Sequence, residues 1–179
     1  MNIITENIGS FINWTTIIVV LIAMYTDLRW RKIVNRLTFP AAIIGLLLHI
    51  VDSGWDGFLF SSLGLIFGLV IFIVPFVFGR MGGGDVKLMG ALGTLVGGYG
   101  IVNIALLTAI AGGFLAIAIA LYNNKLKDTF YKAWKLVRNI IGSTEKTSSE
   151  DSIAKSIKMP YGLAIGGGTF CYLIIGRII

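Results

Sequence analysis

Residues 79–93 of the chain read GRMGGGDVKLMGALG and connect two apolar runs. The first run ends at Phe78, and the second begins directly after Asp85. A carboxylate at a membrane boundary is energetically costly, so it usually faces a protein interior or a water-filled cavity and takes part in function. The neighbouring glycines allow another chain to approach the backbone closely. The stretch predicts a site that handles a peptide; the plainer interpretation is a glycine-rich turn in which Asp85 caps the next helix.

The composition excludes an ordinary soluble domain. Of the 179 residues, 56% are hydrophobic and 13% are charged, and the mean hydropathy is +0.86. Apolar runs near helical spanning length recur, whereas the alternating pattern of a membrane barrel does not appear. We therefore predict an all-α, polytopic integral membrane protein that forms one domain over residues 1–179. The first apolar run is interpreted as a retained helix, not a cleaved signal.

The apolar segments predict six spans. They cover residues 8–25, 37–51, 58–78, 86–96, 101–122 and 160–179. Segment 37–51 is short for a span and could instead be re-entrant. The acidic, aromatic turn that follows it, with Asp52, Trp55 and Asp56, is typical of the outer interface and favours a crossing.

The basic residues indicate the orientation of these spans. Residues 28–36 carry four positive charges, which predicts a cytoplasmic loop and places both termini outside. With this topology, fourteen of the fifteen Lys and Arg residues lie in inner loops and only Arg177 lies outside. The net positive charge is thus explained by the lipid bilayer, and no nucleic-acid partner is predicted.

Residues 123–158 form the one long polar region. Between Leu126 and Ile141 the apolar residues recur at spacings of three or four with basic residues between them. This pattern predicts an amphipathic helix on an anionic membrane surface. Residues 142–152, rich in Ser, Thr, Glu and Lys, are predicted to be a flexible linker.

Two aspartates are predicted to lie at the same membrane face. Asp27 ends the first span and Asp85 follows the third, so two crossings separate them. Two adjacent carboxylates cannot both ionise cheaply, so one holds a proton. Such a pair can activate water and protonate a carbonyl oxygen, which is amide hydrolysis without a covalent intermediate. The plainer interpretation is two boundary aspartates that cap helices or reach water.

No other catalytic set is evident. His49 lies alone in the second span without an evident Ser or Cys partner, and a buried polar or helix-bonding role is the better interpretation. The single cysteine, Cys171, cannot form a disulfide within the chain and is interpreted as a small buried hydrophobe. One His and one Cys do not suggest a zinc site, so neither a metal nor a cofactor is predicted.

Three motifs resemble those of type IV prepilin peptidases. Residues 27–35, DLRWRKIVN, resemble the first aspartate motif of that family, and residues 82–88, GGGDVKL, resemble its Gly-X-Gly-Asp motif. Residues 159–164, MPYGLA, are similar to the Pro-Tyr-Gly segment that opens the family's last helix. The three motifs occur in order over a matching six-helix plan, so the resemblance covers nearly the whole chain.

The resemblance implies an aspartic endopeptidase of the cell membrane whose active site faces the cytoplasm. Its substrates would be prepilins or pilin-like proteins, from which it removes a basic leader, with Asp27 and Asp85 as the catalytic pair. Val34 stands where many members have proline. The cytoplasmic domain with paired Cys-X-X-Cys motifs is missing, so the chain resembles the short branch, as in tight-adherence pilus systems. We expect it to cleave prepilins without methylating them.

Further residues near these motifs are expected to shape the site or line a substrate cleft. A helix start with glycine leaves backbone groups free to pair with an extended peptide, whereas the basic residues could equally be membrane anchors. The site-shaping group is Gly82, Gly83, Gly84, Lys87, Arg29 and Asn35, and the cleft group is Pro160, Tyr161 and Gly162.

Three alternatives remain open. A presenilin-like or signal-peptide-peptidase-like protease shares the Gly-X-Gly-Asp motif, but the basic residues after Asp27 and the Pro-Tyr-Gly segment fit it less well. A small proton- or ion-coupled transporter could use Asp27 and Asp85 as ion sites. A noncatalytic assembly factor could retain the same fold. The sequence makes no prediction of oligomeric state.

Overall fold

The computed structural model describes residues 3–77, 81–122 and 161–178, and these residues form four α-helices. The helices are α1, Ile3–Trp30; α2, Asn35–Val77; α3, Gly83–Tyr122; and α4, Tyr161–Ile178. The predicted all-α class is confirmed for these residues. The amphipathic helix and linker predicted within 123–158, and the cleft residue Pro160, lie outside the described residues.

Three of the helices are long and apolar enough to cross a membrane. The apolar segments are Ile8–Trp30 in α1, Asn35–Val77 in α2 and Gly83–Leu115 in α3, and α4 contains a shorter one, Tyr161–Gly176. Large hydrophobic side chains cover their exposed surfaces, among them Phe11, Trp14 and Ile18 of α1. This is the surface expected of a membrane protein, whose outer face meets lipid.

The chain divides into two compact units. One contains Met1–Gly112 together with Pro160–Ile179, and the other contains Gly113–Met159. All the residues of the predicted site lie in the first unit. The single domain predicted over 1–179 stays a prediction.

Two glycines interrupt the long helices. Gly54 in α2 has φ 59° and ψ −124°, and Gly97 in α3 has φ 74° and ψ 178°, which are conformations that residues with a Cβ rarely adopt. At Gly54 the chain folds back on itself, because Gly57 lies so close to the carbonyl of His49 that a Cβ would overlap it. In a straight helix those two residues would be about 12 Å apart along the axis. The bend coincides with the predicted acidic, aromatic turn.

Side chains of α2 bond to the backbone of α3 just before the interruption at Gly97. The carbonyls of Thr94 and Leu95 accept hydrogen bonds from the Ser61 hydroxyl and from His49 Nε2, each at 3.0 Å. Carbonyls near a break in a helix lack the usual amide partner four residues ahead, so a side-chain donor satisfies them. A carbonyl can only accept, so His49 carries its hydrogen on Nε2 in this bond. The helix-bonding role predicted for His49 is confirmed.

Small residues allow the backbones of α2 and α3 to touch. A Cβ added at Gly64 would overlap the carbonyl of Gly93, and a Cβ at Gly93 would overlap the carbonyl of Gly64. Close backbone approach through small residues is a principal means of helix association in membranes. Leu88, Met89 and Leu92 of α3 are completely or almost completely buried. This helix therefore forms the centre of the first unit.

The last helix runs antiparallel to α1. Gly162 lies against Asp27, and four residues later Gly166 lies against Met24, so the chain directions are opposed. On another side α4 contacts α3 within the same unit, where Gly168 lies against Thr108. The beginning of α4 is thereby placed beside the end of α1.

Cys171 of α4 is exposed. Its interpretation as a small buried hydrophobe is wrong.

Replacing Gly93 by alanine tests the α2–α3 contact. The new methyl group would displace the α2 backbone, and overpacking of this kind costs about 1–3 kcal/mol. We expect Gly93→Ala to lower the midpoint of thermal unfolding in detergent. Gly9→Ala is the matched control, since a Cβ there meets nothing within 4 Å and alanine has the higher helix propensity. Equal midpoints for Gly93→Ala and the native chain would contradict the close contact.

Candidate active site

Asp27 lies near the end of α1 and is buried, with 7% of its surface exposed. Its Oδ2 accepts a hydrogen bond of 2.7 Å from the backbone amide of Gly162, the second residue of α4. The first amides of a helix have no partner within that helix, and a negative charge is favoured at this end. Asp27 of α1 thus caps α4, although the two residues are 135 positions apart.

Asp85 is the third residue of α3 and is also buried, with 8% of its surface exposed. Its Oδ2 accepts a hydrogen bond of 3.1 Å from the Gly82 amide, and its own amide donates to the Gly82 carbonyl, also at 3.1 Å. An acidic side chain at the third helical position that reaches back to the residue before the helix is one half of a capping box. The capping interpretation of residues 79–93 is therefore correct as a description of how Asp85 is held.

The segments that carry the two aspartates lie against each other. Ile33, in the connection that follows Asp27, contacts Gly84, the residue before Asp85. Each carboxylate is held through Oδ2 by one glycine amide. Two buried like charges so placed cannot both ionise cheaply, so the pair can keep one proton between them. This arrangement is suited to acid and base chemistry on a bound molecule.

The connection between α1 and α2 lies against the beginning of α3. Ile33 packs on Gly84, where an added Cβ would lie 3.0 Å from the Ile33 carbonyl oxygen. Asn35 Oδ1 accepts a hydrogen bond of 3.1 Å from Lys87 Nζ, and the same ammonium lies 5.7 Å from the centre of the Phe39 ring. The structure thus brings the first and second sequence motifs together.

The structure describes two of the three predicted cleft residues, Tyr161 and Gly162. Tyr161 is half-buried and Gly162 is buried. The sequence predicted a Gly162 backbone free to pair with a substrate, but its amide is bonded to Asp27. A Cβ at Gly162 would lie 2.8 Å from both Cβ and Oδ2 of Asp27. Glycine is needed at this position so that α4 can approach the carboxylate.

Arg31, in the same basic segment as Arg29, donates its backbone amide to the Asp27 carbonyl at 2.8 Å. Both arginine side chains are exposed, and the role of Arg29 in the site stays a prediction. Phe39 was not expected to contribute to the site. Its position could have been inferred, because residues four apart in a helix lie on one face, and this places Phe39 beside Asn35.

The site falls within a region that matches a known family. A model of the type IV leader peptidase family matches residues 14–117, more than half of the 179-residue chain. The matched region contains Asp27, Asp85, Asn35 and Lys87. Searches of curated proteins and of solved structures gave no match. The resemblance predicted from the sequence motifs is confirmed, and the chain belongs to the type IV leader peptidase family.

Proposed function

We propose that the chain is an aspartic endopeptidase that removes the leader peptides of type IV prepilins or pilin-like proteins. Membership of a peptidase family supports proteolysis of a protein substrate. The observation that carries the proposal is the pair of buried carboxylates, Asp27 and Asp85, each held by a glycine amide at the start of a helix. The two side chains come from different helices, α1 and α3, whose adjoining segments meet where Ile33 contacts Gly84.

In the proposed reaction the two aspartates exchange protons with water and with the scissile peptide. One carboxylate takes a proton from water as the water oxygen bonds to the carbonyl carbon, while the other carboxyl gives its proton to the carbonyl oxygen. The tetrahedral intermediate then collapses, the C–N bond breaks, and the departing nitrogen takes a proton from the first aspartate. The hydroxyl proton of the intermediate returns to the second aspartate. The enzyme thus ends with the protons it had at the start.

We also propose that the chain crosses the membrane six times. The 43 residues of α2 and the 40 residues of α3 are each about twice the length that one crossing requires. The interruptions at Gly54 and Gly97 divide each helix into two segments. If each segment crosses the bilayer, Asp27 and Asp85 lie at one face, in agreement with the contact between Ile33, which follows Asp27, and Gly84, which precedes Asp85.

The site is proposed to face the cytoplasm, with both termini outside. Arg29, Arg31, Lys32 and Arg36 lie close in sequence to Asp27, whereas exposed acidic residues mark the bend at Gly54. Excess Lys and Arg in short loops is typical of the cytoplasmic side. A cytoplasmic leader would then reach Asp27 and Asp85 while the rest of the substrate remains in the bilayer.

The surface beside Asp27 suits a substrate with an apolar segment. Tyr25, Leu28 and Trp30 of α1 are all exposed, and the rings of Tyr25 and Trp30 meet edge to face at 5.9 Å. An exposed apolar surface next to a buried catalytic group allows a membrane-embedded helix to approach from the lipid. A prepilin, with a polar leader and an apolar segment, has this chemistry.

Replacing either aspartate by asparagine should abolish processing. Asn keeps the size and can accept a hydrogen bond, but it can neither take nor give the proton that the reaction needs. We expect Asp27→Asn and Asp85→Asn to reduce cleavage by at least about 100-fold, measured by mobility shift and N-terminal sequencing of coexpressed prepilins. Asp56→Asn, at the exposed bend, is the control and should process normally. Cleavage that survives both active-site substitutions, with membrane levels unchanged, would exclude the proposed catalytic roles.

Replacing Gly162 by alanine should impair catalysis by displacing Asp27. The added methyl group would meet the aspartate side chain at 2.8 Å, and a displacement of about 1 Å at a catalytic group can cost on the order of 100-fold in rate. Gly167→Ala is the matched control in the same helix, because its Cβ would make an ordinary contact of 3.8 Å with Ala111. Initial rates of leader removal compare the two variants. Equal rates would show that the Gly162 contact does not position Asp27.

The processed product should keep an unmethylated N-terminus. The chain has a single cysteine and therefore lacks the paired Cys-X-X-Cys motifs expected of the family's bifunctional members. Intact-mass measurement of a prepilin processed by the purified enzyme in the presence of a methyl donor tests this expectation. A product heavier by one methyl group would show that the chain carries both activities.

A further inference from the structure

We propose that Lys87 and Asn35 act as a pair of positioning residues that hold the segment bearing Asp27 against the segment bearing Asp85. We call this pair the Lys87–Asn35 clamp. The proposal rests on the proposed function, because it assigns the pair a role in aligning the two aspartates for peptide hydrolysis.

The clamp is a defined contact between distant parts of the chain. Lys87 Nζ donates to Asn35 Oδ1 at 3.1 Å across 52 residues of sequence. The ammonium also lies 5.7 Å from the centre of the Phe39 ring, which is within the range of a cation–π interaction. An asparagine at the start of a helix commonly uses its side chain to cap that helix. Here the side chain of Asn35, the first residue of α2, bonds to α3 instead.

One end of the clamp is connected to Asp27 through the short segment between α1 and α2. The Arg31 amide donates to the Asp27 carbonyl at 2.8 Å, and Arg31 has a positive φ of 51°. This left-handed conformation is unfavourable for a non-glycine residue, so surrounding contacts must hold it. The contact of Ile33 with Gly84 and the hydrogen bond that Lys87 donates to Asn35 are two such contacts.

The other end of the clamp is linked to Asp85. Lys87 follows Asp85 by two residues in the first turns of α3, and Gly84 immediately precedes Asp85. The clamp and the contact between Ile33 and Gly84 therefore lie at sequence positions on both sides of Asp85. A change in the α1–α2 connection would be transmitted to both aspartates through these contacts.

Lys87 has two simpler possible roles, as a residue that sets membrane orientation and as a residue that binds the substrate, and the two roles predict different effects of mutation. A residue that only sets membrane orientation needs a positive charge and no particular partner. A residue that binds the substrate would contribute chiefly to KM. A positioning residue acts through its partner, so loss of the partner should have the same effect as loss of the lysine.

The experiment uses the full chain and a synthetic peptide that spans the leader and the start of the mature prepilin, with kcat and KM measured separately. The variants are Lys87→Met, Asn35→Leu, their double mutant and Lys87→Arg. Lys32→Met is the control for loss of one positive charge on an exposed residue of the same connection. Arginine can donate to Asn35 and stack on Phe39, so Lys87→Arg tests rescue by a conservative change.

We expect each single loss to lower kcat by roughly 10- to 100-fold with little change in KM. The double mutant should be no slower than the slower single mutant, Lys87→Arg should recover most of the activity, and Lys32→Met should match the native enzyme. Effects that multiply in the double mutant, a rise in KM alone, or an equal loss in Lys32→Met would each overturn the clamp.

Amide hydrogen exchange provides a readout that does not depend on activity. The amides of Arg31 and Leu37 are bonded to the carbonyls of Asp27 and Val34 at the two ends of the connection. Loss of the clamp should increase their exchange rates several-fold, whereas Lys32→Met should leave them unchanged. Unchanged exchange in Lys87→Met would overturn the clamp. If instead Asp27→Asn still cleaves, the proposed function fails, and the exchange measurement still decides whether the clamp exists.

Discussion

The buried carboxylates of Asp27 and Asp85 need hydrogen-bond donors, and each obtains one from a glycine amide at the start of a helix. A buried charge without such a partner is very costly, and the first amides of a helix are donors without partners of their own. Each hydrogen bond therefore satisfies both a buried carboxylate and an unpaired amide at the start of a helix. The end of α1 must therefore lie beside the start of α4, and the turn before α3 must fold back onto Asp85. These constraints determine where the helix ends meet.

Glycine makes this arrangement of helices possible. Gly54 and Gly97 provide backbone angles that allow α2 to fold back and α3 to bend, while Gly64 and Gly93 let the two helices touch through their backbones. Just before the interruption at Gly97, two backbone carbonyls of α3 accept hydrogen bonds from the side chains of His49 and Ser61 in α2. The same residue type thus serves close packing, bending and, at Gly162, access to a carboxylate.

The helical class could be predicted from sequence, and so could the positions of Asp27 and Asp85 near helix ends, because hydropathy and motif spacing are properties of single segments. The bend at Gly54 could be predicted as well, because it lies within the acidic, aromatic turn that contains Asp52 and Trp55. The bond between Gly162 and Asp27 could not be predicted, since it joins residues 135 positions apart and depends on how α4 packs. The hydrogen bond that Lys87 donates to Asn35 could not be predicted either, because it joins residues 52 positions apart. Local pattern identified these residues, and tertiary packing decided their partners.

Asp27 and Asp85 are proposed to work as one acid–base pair, one protonated and the other ionised. The decisive measurement is the pH dependence of kcat/KM for leader cleavage by the purified enzyme. We expect a rate that falls on both sides of an optimum, because acid protonates the base and alkali removes the proton of the acid. A rate that falls on one side only, or does not vary with pH where the protein stays folded, would contradict it.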